Sequence, residues 1–290
     1  MVATLDRETT TQMDITFPLS SEICLKIGQD SNNGDSYPTS RMQKGLILIA
    51  NGQELVEEGV GFGVPVLKFG VKTIFPGAIE LADLNGSRDQ EVTAVYRINL
   101  EEKLTGQNLQ SVQSRSLYRI KNHLADVYRH FPATRRPLTA MSNALRRGFG
   151  WQTTFEETGC SYSVKVHYVV NRQAGTISVV VDTVGLPRDD ITEVVVMNEQ
   201  GARYFETYSD SSGALLHGEA IGSWDEVTAE SASFLNRTHR LAFTVRAIAG
   251  ARLFRGRELI GSRLAWSGFG YSFPPTIERI GYQVRIERLQ

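Results

Sequence analysis

Residues 161–170 read SYSVKVHYVV, and residues 176–182 read TISVVVD. Both stretches are short, rich in β-branched and aromatic residues, and as long as a typical strand. Similar runs, bounded by Gly, Asn, Asp and Pro, recur along most of the chain. The predicted strands are 15–19, 23–27, 46–50, 60–69, 72–75, 92–98, 161–170, 176–182, 192–197, 202–208, 239–249, 263–267 and 281–287.

These runs do not alternate with helical patterns, which argues against a parallel, doubly wound sheet. Turn signals separate several of them, and we expect turns at 51–52, 85–86, 199–201 and 211–213. The sequence therefore predicts a mainly β protein built as a large antiparallel β-sandwich.

One helical insert interrupts the β pattern at about residues 114–147. Apolar residues recur there at spacings of three and four, which places them on one stripe of a helix; they are Leu117, Ile120, Leu124, Val127 and Phe131. A shorter helix fits 137–147, with Pro137 first and Gly148 after its end.

We divide the chain into a β-rich half (1–110), a basic helical insert (111–150) and a second β-rich half (151–290). No Pro/Gly/Ser-rich linker separates the halves, which favours one intertwined domain over two.

Composition narrows the class of protein. The chain has 290 residues, 41% of them hydrophobic, and a formal charge of -1, which excludes a collagen-like, disulfide-dense or disordered chain. Residues 1–14 lack the pattern of a secretory signal, and the apolar runs are too short for a membrane helix. We therefore expect a soluble cytoplasmic protein.

Cys24 and Cys160 lie among apolar residues without metal-site spacing, so both are predicted to be buried thiols.

Charge is distributed unevenly along the chain. Residues 1–110 carry 9 basic and 15 acidic side chains, 111–150 carry 8 and 1, 151–236 carry 4 and 13, and 237–290 carry 10 and 3. Of the 31 basic residues 24 are arginine, whose planar fork suits carboxylates and phosphates. Either the segments neutralise one another in the fold, or a basic face is left for an anion.

Several familiar sites are absent from the sequence. The glycine-rich stretch 59–63 lacks the Lys-Ser/Thr pair of a phosphate-binding loop. The acidic stretch that starts at Asp30 is not a calcium-binding loop, because its twelfth position is Arg41 and not the required Glu. No zinc-protease or serine-hydrolase motif occurs. The isoelectric point near 6.5 and the lack of a nucleic-acid signature argue against nucleic-acid binding. We expect no metal and no cofactor.

The most promising cluster of polar and aromatic residues lies between positions 203 and 225. On a strand, Tyr204, Glu206, Tyr208 and Asp210 would share one face at a period of two. Aromatic rings with interleaved carboxylates suit a sugar. The candidate ligand-binding residues are Arg203, Tyr204, Glu206, Tyr208, Asp210, Trp224 and Trp266. An exposed strand face with cross-strand ion pairs remains the alternative interpretation.

In length and β content the chain resembles the large sandwich domains of aldose epimerases and polysaccharide lyases, a resemblance of architecture only. Enzymes of the first group work with a His and a Glu, and His217, His239 and Glu219 are the candidate catalytic residues here.

Three functions stay open at this point. The first is binding of a carbohydrate or a small anionic polyhydroxylated ligand, and the second is a mutarotase-like sugar epimerase using a His/Glu acid-base pair. The third is a non-catalytic assembly or interaction protein, and a homo-oligomer is compatible with each of the three.

Overall fold

The computed structural model describes residues 14–28, 41–70, 72–82, 90–105, 152–260 and 264–289. The predicted helical insert and its basic cluster lie outside these residues. Within them the chain forms eighteen strands and a short 3-10 turn at Gly218–Ile221. The strands are β1 (Asp14–Pro18), β2 (Ile23–Gly28), β3 (Ile47–Ala50), β4 (Gln53–Glu54), β5 (Gly61–Phe69), β6 (Lys72–Ala82), β7 (Glu91–Thr105), β8 (Gln152–Asn171), β9 (Thr176–Asp182), β10 (Glu193–Gln200), β11 (Thr207–Asp210), β12 (Leu215–His217), β13 (Asp225–Glu226), β14 (Ser231–Asn236), β15 (Leu241–Arg246), β16 (Arg252–Ile260), β17 (Leu264–Phe273) and β18 (Arg279–Arg288).

The strands form two antiparallel sheets. The smaller has the order β1-β2-β3-β4, and the larger has the order β12-β11-β14-β15-β18-β9-β8-β7-β6-β5-β10-β17-β16-β13. Alternating burial along strands such as β2 and β9 shows why they form here, since every second side chain enters the core. The larger sheet contains strands from both sides of the predicted insert.

The larger sheet packs against itself, so that its two ends become the two layers of a sandwich. Phe62 of β5 lies 5.3 Å from Phe243 of β15 between ring centroids, and Phe234 of β14 lies 4.9 Å from Phe269 of β17. Both contacts join strands that are distant in the sheet order. The predicted antiparallel β-sandwich is confirmed. We call the side of each strand that faces these rings its inner face, and the opposite side its outer face.

A buried polar network also ties the layers together. The Tyr282 hydroxyl donates to Oδ1 of Asn198 at 2.8 Å, and the Gly63 amide donates to the same oxygen at 3.1 Å. Gly63 has φ +80°, and a Cβ there would lie 2.5 Å from the ring of Tyr168. The glycine-rich stretch 59–63 is therefore a place where other groups approach the backbone closely.

The predicted strands agree with the structure except at a few positions. The strand expected at 202–208 is wrong over 202–206, because the amides of Tyr204 and Phe205 both donate to the carbonyl of Gly201 and form a turn. Its last two residues begin β11. The turn expected at 199–201 starts too early, because residues 199 and 200 are the last two residues of β10. Five strands were not among the predicted ones: β4, β12, β13, β14 and β16. The prediction of two buried thiols is also wrong, since Cys24 is half-buried and Cys160 is exposed.

The basic C-terminal segment pairs with acidic residues elsewhere. Arg252 contacts Glu193 at 2.8 Å, Arg255 lies 3.7 Å from Asp225, and Arg288 pairs with Glu22. These contacts support mutual neutralisation of the charged segments in the described part of the chain. None of the helical residues described there forms a segment long and apolar enough to cross a membrane.

Candidate functional site

An open depression lies at the base of the β11–β12 hairpin. Its lining residues are Glu206, His217, Gly218 and Glu219, and its volume is about 590 Å³. The hairpin register places Thr207 opposite His217, and the amide of Gly218 donates to the carbonyl of Glu206 at 2.9 Å. Gly218 has φ +56°, a conformation that turns the chain sharply at low cost for glycine. Backbone pairing therefore brings these two separate segments to one place.

The histidine of the depression is held by a neighbouring hydroxyl. Nδ1 of His217 lies 2.9 Å from Oγ1 of Thr207, and Thr207 is buried while the imidazole is exposed. Because Nδ1 is engaged, Nε2 is the ring nitrogen left to face a ligand. The exposed Glu206 and Glu219 side chains provide two carboxylates beside it.

A half-buried arginine lies next to these carboxylates. Nη2 of Arg257 donates to the carbonyl of Ala202 at 3.0 Å, and its backbone amide donates to the carbonyl of Gly222 at 2.9 Å. Burial lowers the pKa of Arg257, and the carboxylates of Glu206, Glu219 and Glu57 act in the opposite direction. Nε of Arg257 is buried without a hydrogen-bond partner. Arg257 thus joins the loop before β11 to the segment after β12.

Arg203, a predicted ligand-binding residue, is engaged in an ion pair. Its guanidinium donates to Oε1 of Glu57 at 2.7 Å, and its backbone amide donates to Oε2 of the same carboxylate at 3.1 Å. Glu57 also packs on Gly201, where a Cβ would lie 2.6 Å from Oε2. Arg203 is not a lining residue of the depression.

The predicted shared face of Tyr204, Glu206, Tyr208 and Asp210 is wrong, because the turn at Gly201 breaks the alternation before β11 starts. Tyr208 is buried in the core while Glu206 is exposed. The Tyr208 hydroxyl donates to Oδ2 of Asp210 at 2.7 Å. Burial acts to raise the pKa of Asp210, but hydrogen bonds from Ser212, Tyr208 and Ala214 outweigh it and lower that pKa. Asp210 therefore stabilises its own turn.

Tyr204 and His239 lie together outside the depression. Their ring centroids are 6.0 Å apart, and the Tyr204 hydroxyl accepts a hydrogen bond from Nε2 of Gln53 at 2.6 Å. The backbone amide of His239 donates to Oδ1 of Asn236 at 2.9 Å. Neither ring lines the depression, so the structure brings Glu219 together with His217 and not with His239.

Trp224 and Trp266 form a pair on the outer face of β16 and β17. Their ring centroids are 5.4 Å apart, and a Cβ on Gly256 would lie 2.6 Å from the Trp266 ring. On the other face of β16, the Arg255 guanidinium carbon lies 4.7 Å from the centre of the Tyr208 ring. Because successive residues of a strand point to opposite faces, the tryptophan pair and Arg257 lie on opposite sides of the sheet.

Sequence reasoning did not include Glu57 and Arg257 in the site. Arg257 alternates with Arg255 along β16, a pattern that places both side chains on one face. Only the tertiary fold brings Arg257 near Glu206. Glu57 has no local signal at all. Among the described residues, no group of three or more His, Cys, Asp or Glu side chains could hold a metal ion.

Comparison with known proteins provides fold-level likeness only. No family model matches the chain, and no curated protein sequence matches it. A solved structure of an alpha-N-acetylgalactosaminidase from Bifidobacterium bifidum, in complex with GalNAc, superposes with a TM-score of 0.48 at 10% identity, covering 94% of this chain and 36% of that one. A galactose mutarotase-like protein from Lactobacillus casei superposes with a TM-score of 0.41 at 10% identity, covering 95% of this chain and 99% of that one. This chain thus spans about a third of the length of the first protein.

Proposed function

We propose that this protein binds a carbohydrate or a similar small polyhydroxylated molecule in the depression at the base of the β11–β12 hairpin. One observation carries the proposal: Glu206, His217 and Glu219, from two separate segments, line the same open depression. Carboxylates and an imidazole provide the directional hydrogen bonds that sugar hydroxyls require. The pairing of the hairpin and the hydrogen bond between Thr207 and His217 hold the imidazole in place before a ligand arrives.

Binding is tested by isothermal titration calorimetry with D-galactose and D-glucose. The variant Glu206→Gln removes one lining carboxylate and keeps the shape of the side chain, and His217→Gln removes the imidazole. Glu226→Gln, at an exposed carboxylate of β13 outside the lining set, is the matched control. We expect both site variants to weaken binding at least about tenfold, as loss of hydrogen bonds to charged groups does, with the control unchanged. Equal binding by all variants would place the ligand elsewhere.

A sugar epimerase is the second candidate, and the position of His217 beside two carboxylates favours it. In such a reaction a carboxylate takes the proton of the anomeric hydroxyl while the imidazolium donates a proton to the ring oxygen, and the C1–O5 bond breaks. The open aldehyde turns and the ring closes by the reverse proton transfers. Polarimetry of freshly dissolved α-D-galactose tests this candidate. Catalysis that is lost in both His217→Gln and Glu219→Gln supports it, and a rate equal to that of buffer refutes it.

A further inference from the structure

Glu199 of β10 is a buried carboxyl group that the proposed site does not use. It is 2% exposed, and its carboxyl accepts a hydrogen bond from the amide of Val60. Among the residues that the structure describes, Oε1 of Glu199 has no hydrogen-bond partner. Because Asn198 faces Tyr282 in the core, the next side chain points to the outer face of the sheet. Burial of a carboxylate in such a place costs far more free energy than burial of a neutral carboxylic acid.

The charged groups around Glu199 do not favour its ionisation. Burial, together with the nearby carboxylate of Glu258, raises the pKa of Glu199 to about 8, against the effect of its one amide hydrogen bond. The nearest cations are engaged elsewhere, since Arg257 points to the opposite face of β16 and Nζ of Lys44 donates to the carbonyl of Glu57 at 3.3 Å. The titratable groups on the elements packed against Glu199 are Arg257 and Glu258 of β16, Tyr271 of β17, and Lys44, Glu57 and Glu58 before β5.

The amide that binds the Glu199 carboxyl belongs to the segment 55–60, which anchors one wall of the depression. Two backbone amides of the loop before β11 donate to this segment, that of Gly201 at 2.7 Å and that of Arg203 at 3.1 Å. This loop leads to Glu206, a lining residue of the depression. The position of the segment 55–60 therefore affects the position of this wall.

The carboxylate of Glu258 anchors the other wall. It accepts a hydrogen bond from the hydroxyl of Ser223 at 2.9 Å, and the preceding residue, Arg257, donates its backbone amide to the carbonyl of Gly222 at 2.9 Å. Gly222 and Ser223 directly follow the 3-10 turn that contains the lining residue Glu219. The buried carboxyl of β10 thus lies between the supports of both walls.

We infer that Glu199 is a proton switch for the depression: its protonated form keeps both walls in the arrangement described, and its ionisation at alkaline pH loosens them. The inference rests on the proposed function and concerns the regulation of the same site. A charge on Glu199 is stabilised by hydration or by distance from Glu258. Hydration requires the segment 55–60 to move off the sheet, and distance requires Glu258 to move away from Ser223, so either response moves a wall.

The first test follows the walls without a ligand, by hydrogen–deuterium exchange at pH 7 and pH 9. The parent is compared at each pH with Glu199→Gln, which cannot ionise, and with the control Glu226→Gln, so that the effect of pH on intrinsic exchange cancels. The ionised fraction of Glu199 should rise about tenfold between these pH values. We therefore expect exchange in the segments 55–60 and 201–206 to rise about tenfold more in the parent and the control than in Glu199→Gln. Strand β9 should stay protected in all three proteins.

The second test measures the affinity for D-galactose by calorimetry at the same two pH values. If the walls bind the sugar only while Glu199 is protonated, the parent should lose about tenfold more affinity from pH 7 to pH 9 than Glu199→Gln, because the competent fraction falls by that factor. His217 is present in both proteins, so an effect of its own titration would appear equally in both.

A further variant keeps the inference testable if circular dichroism shows that Glu199→Gln does not fold. Glu258→Gln removes the negative charge beside Glu199, which makes the carboxyl easier to ionise. The rise in exchange should then occur at a lower pH than in the parent.

Several results would overturn the inference. They are equal exchange of the walls in the parent and in Glu199→Gln, a transition in Glu258→Gln at the same pH as in the parent or above it, and loss of protection in β9, which would mean unfolding of the whole sheet. A transition in exchange without a change in galactose affinity also overturns it, because the walls would then not control binding. If D-galactose does not bind the folded parent at pH 7, the proposed function falls, and the exchange measurement alone decides whether Glu199 is a switch.

Discussion

Glu199 near the end of β10 carries a carboxyl group that water does not reach, and its ionisation should make the fold less stable as the pH rises. The residue is 2% exposed, and its carboxyl accepts a hydrogen bond from the amide of Val60. Oε1 has no hydrogen-bond partner. Burial, with a smaller contribution from the nearby carboxylate of Glu258, raises the pKa of Glu199 from 4.5 to about 8, against the effect of the Val60 amide.

The size of the effect follows from linkage between protonation and folding. A carboxyl group whose pKa is raised in the fold has no effect on stability below its unfolded pKa, because both states are then protonated. Above that pKa the unfolded chain releases its proton more readily, and the free energy of unfolding falls by about 1.4 kcal/mol per pH unit until the folded pKa of Glu199 is passed. Between pH 5 and pH 7 this amounts to about 2–3 kcal/mol.

The substitution Glu199→Gln removes the ionisation and keeps the size of the side chain. We expect the free energy of unfolding of this variant, measured in urea, to rise relative to that of the parent by about 2–3 kcal/mol between pH 5 and pH 7. Glu226→Gln, at an exposed carboxylate, is the control and should show little pH dependence. A Glu199→Gln difference that stays constant across this range would refute the reasoning, because it would mean that Glu199 ionises in the fold as readily as in the unfolded chain.

Three further substitutions test other contacts of the fold. Gly270→Ala places a Cβ 2.4 Å from the ring of Trp224, so we expect a loss of about 1–3 kcal/mol in stability and a change in tryptophan fluorescence; an unaltered spectrum would contradict the packing. Asp210→Ala should lower the free energy of unfolding by about 1–3 kcal/mol, because the Ser212 amide and the Tyr208 hydroxyl lose their acceptor. The same variant should leave the sugar affinity measured by calorimetry unchanged. Tyr282→Phe should cost about 1–2 kcal/mol in urea unfolding, because Oδ1 of Asn198 then loses a buried hydrogen bond, and an unchanged midpoint would show that the bond contributes nothing.

Local patterns predicted the strands whose two faces differ. In β2, Ile23, Leu25 and Ile27 are buried and alternate with half-buried residues, so the period of two is visible in the sequence. Strand β16 lacks that signal, because its arginines lie at the edge of the core and are stabilised by partners from other strands, such as the Tyr208 ring under Arg255. Such partners are known only once the fold is known.

The candidate site was predicted only in part, because some of its contacts are local in sequence and others depend on the fold. Glu206, His217 and Glu219 are close in sequence, and the hairpin between them brings them together. The turn at Gly201 depends on hydrogen bonds that composition does not reveal, so Tyr208 was expected on the same face as Glu206 and is instead in the core. Arg257 reaches the site through strand pairing across a long sequence separation, which a pattern read along one segment cannot show.

The position of β18 in the larger sheet has a consequence for how the chain assembles. This strand lies between β9 and β15, pairing Arg279 with Asp182 on one side and Arg288 with Leu241 on the other. The hairpins that precede it along the chain can pair locally, but the two layers of the sandwich are joined through this part of the sheet only after β18 has been synthesised and inserted between its neighbours. Until that moment β9 and β15 each carry an unpaired edge, which is the kind of surface that recruits other chains during folding.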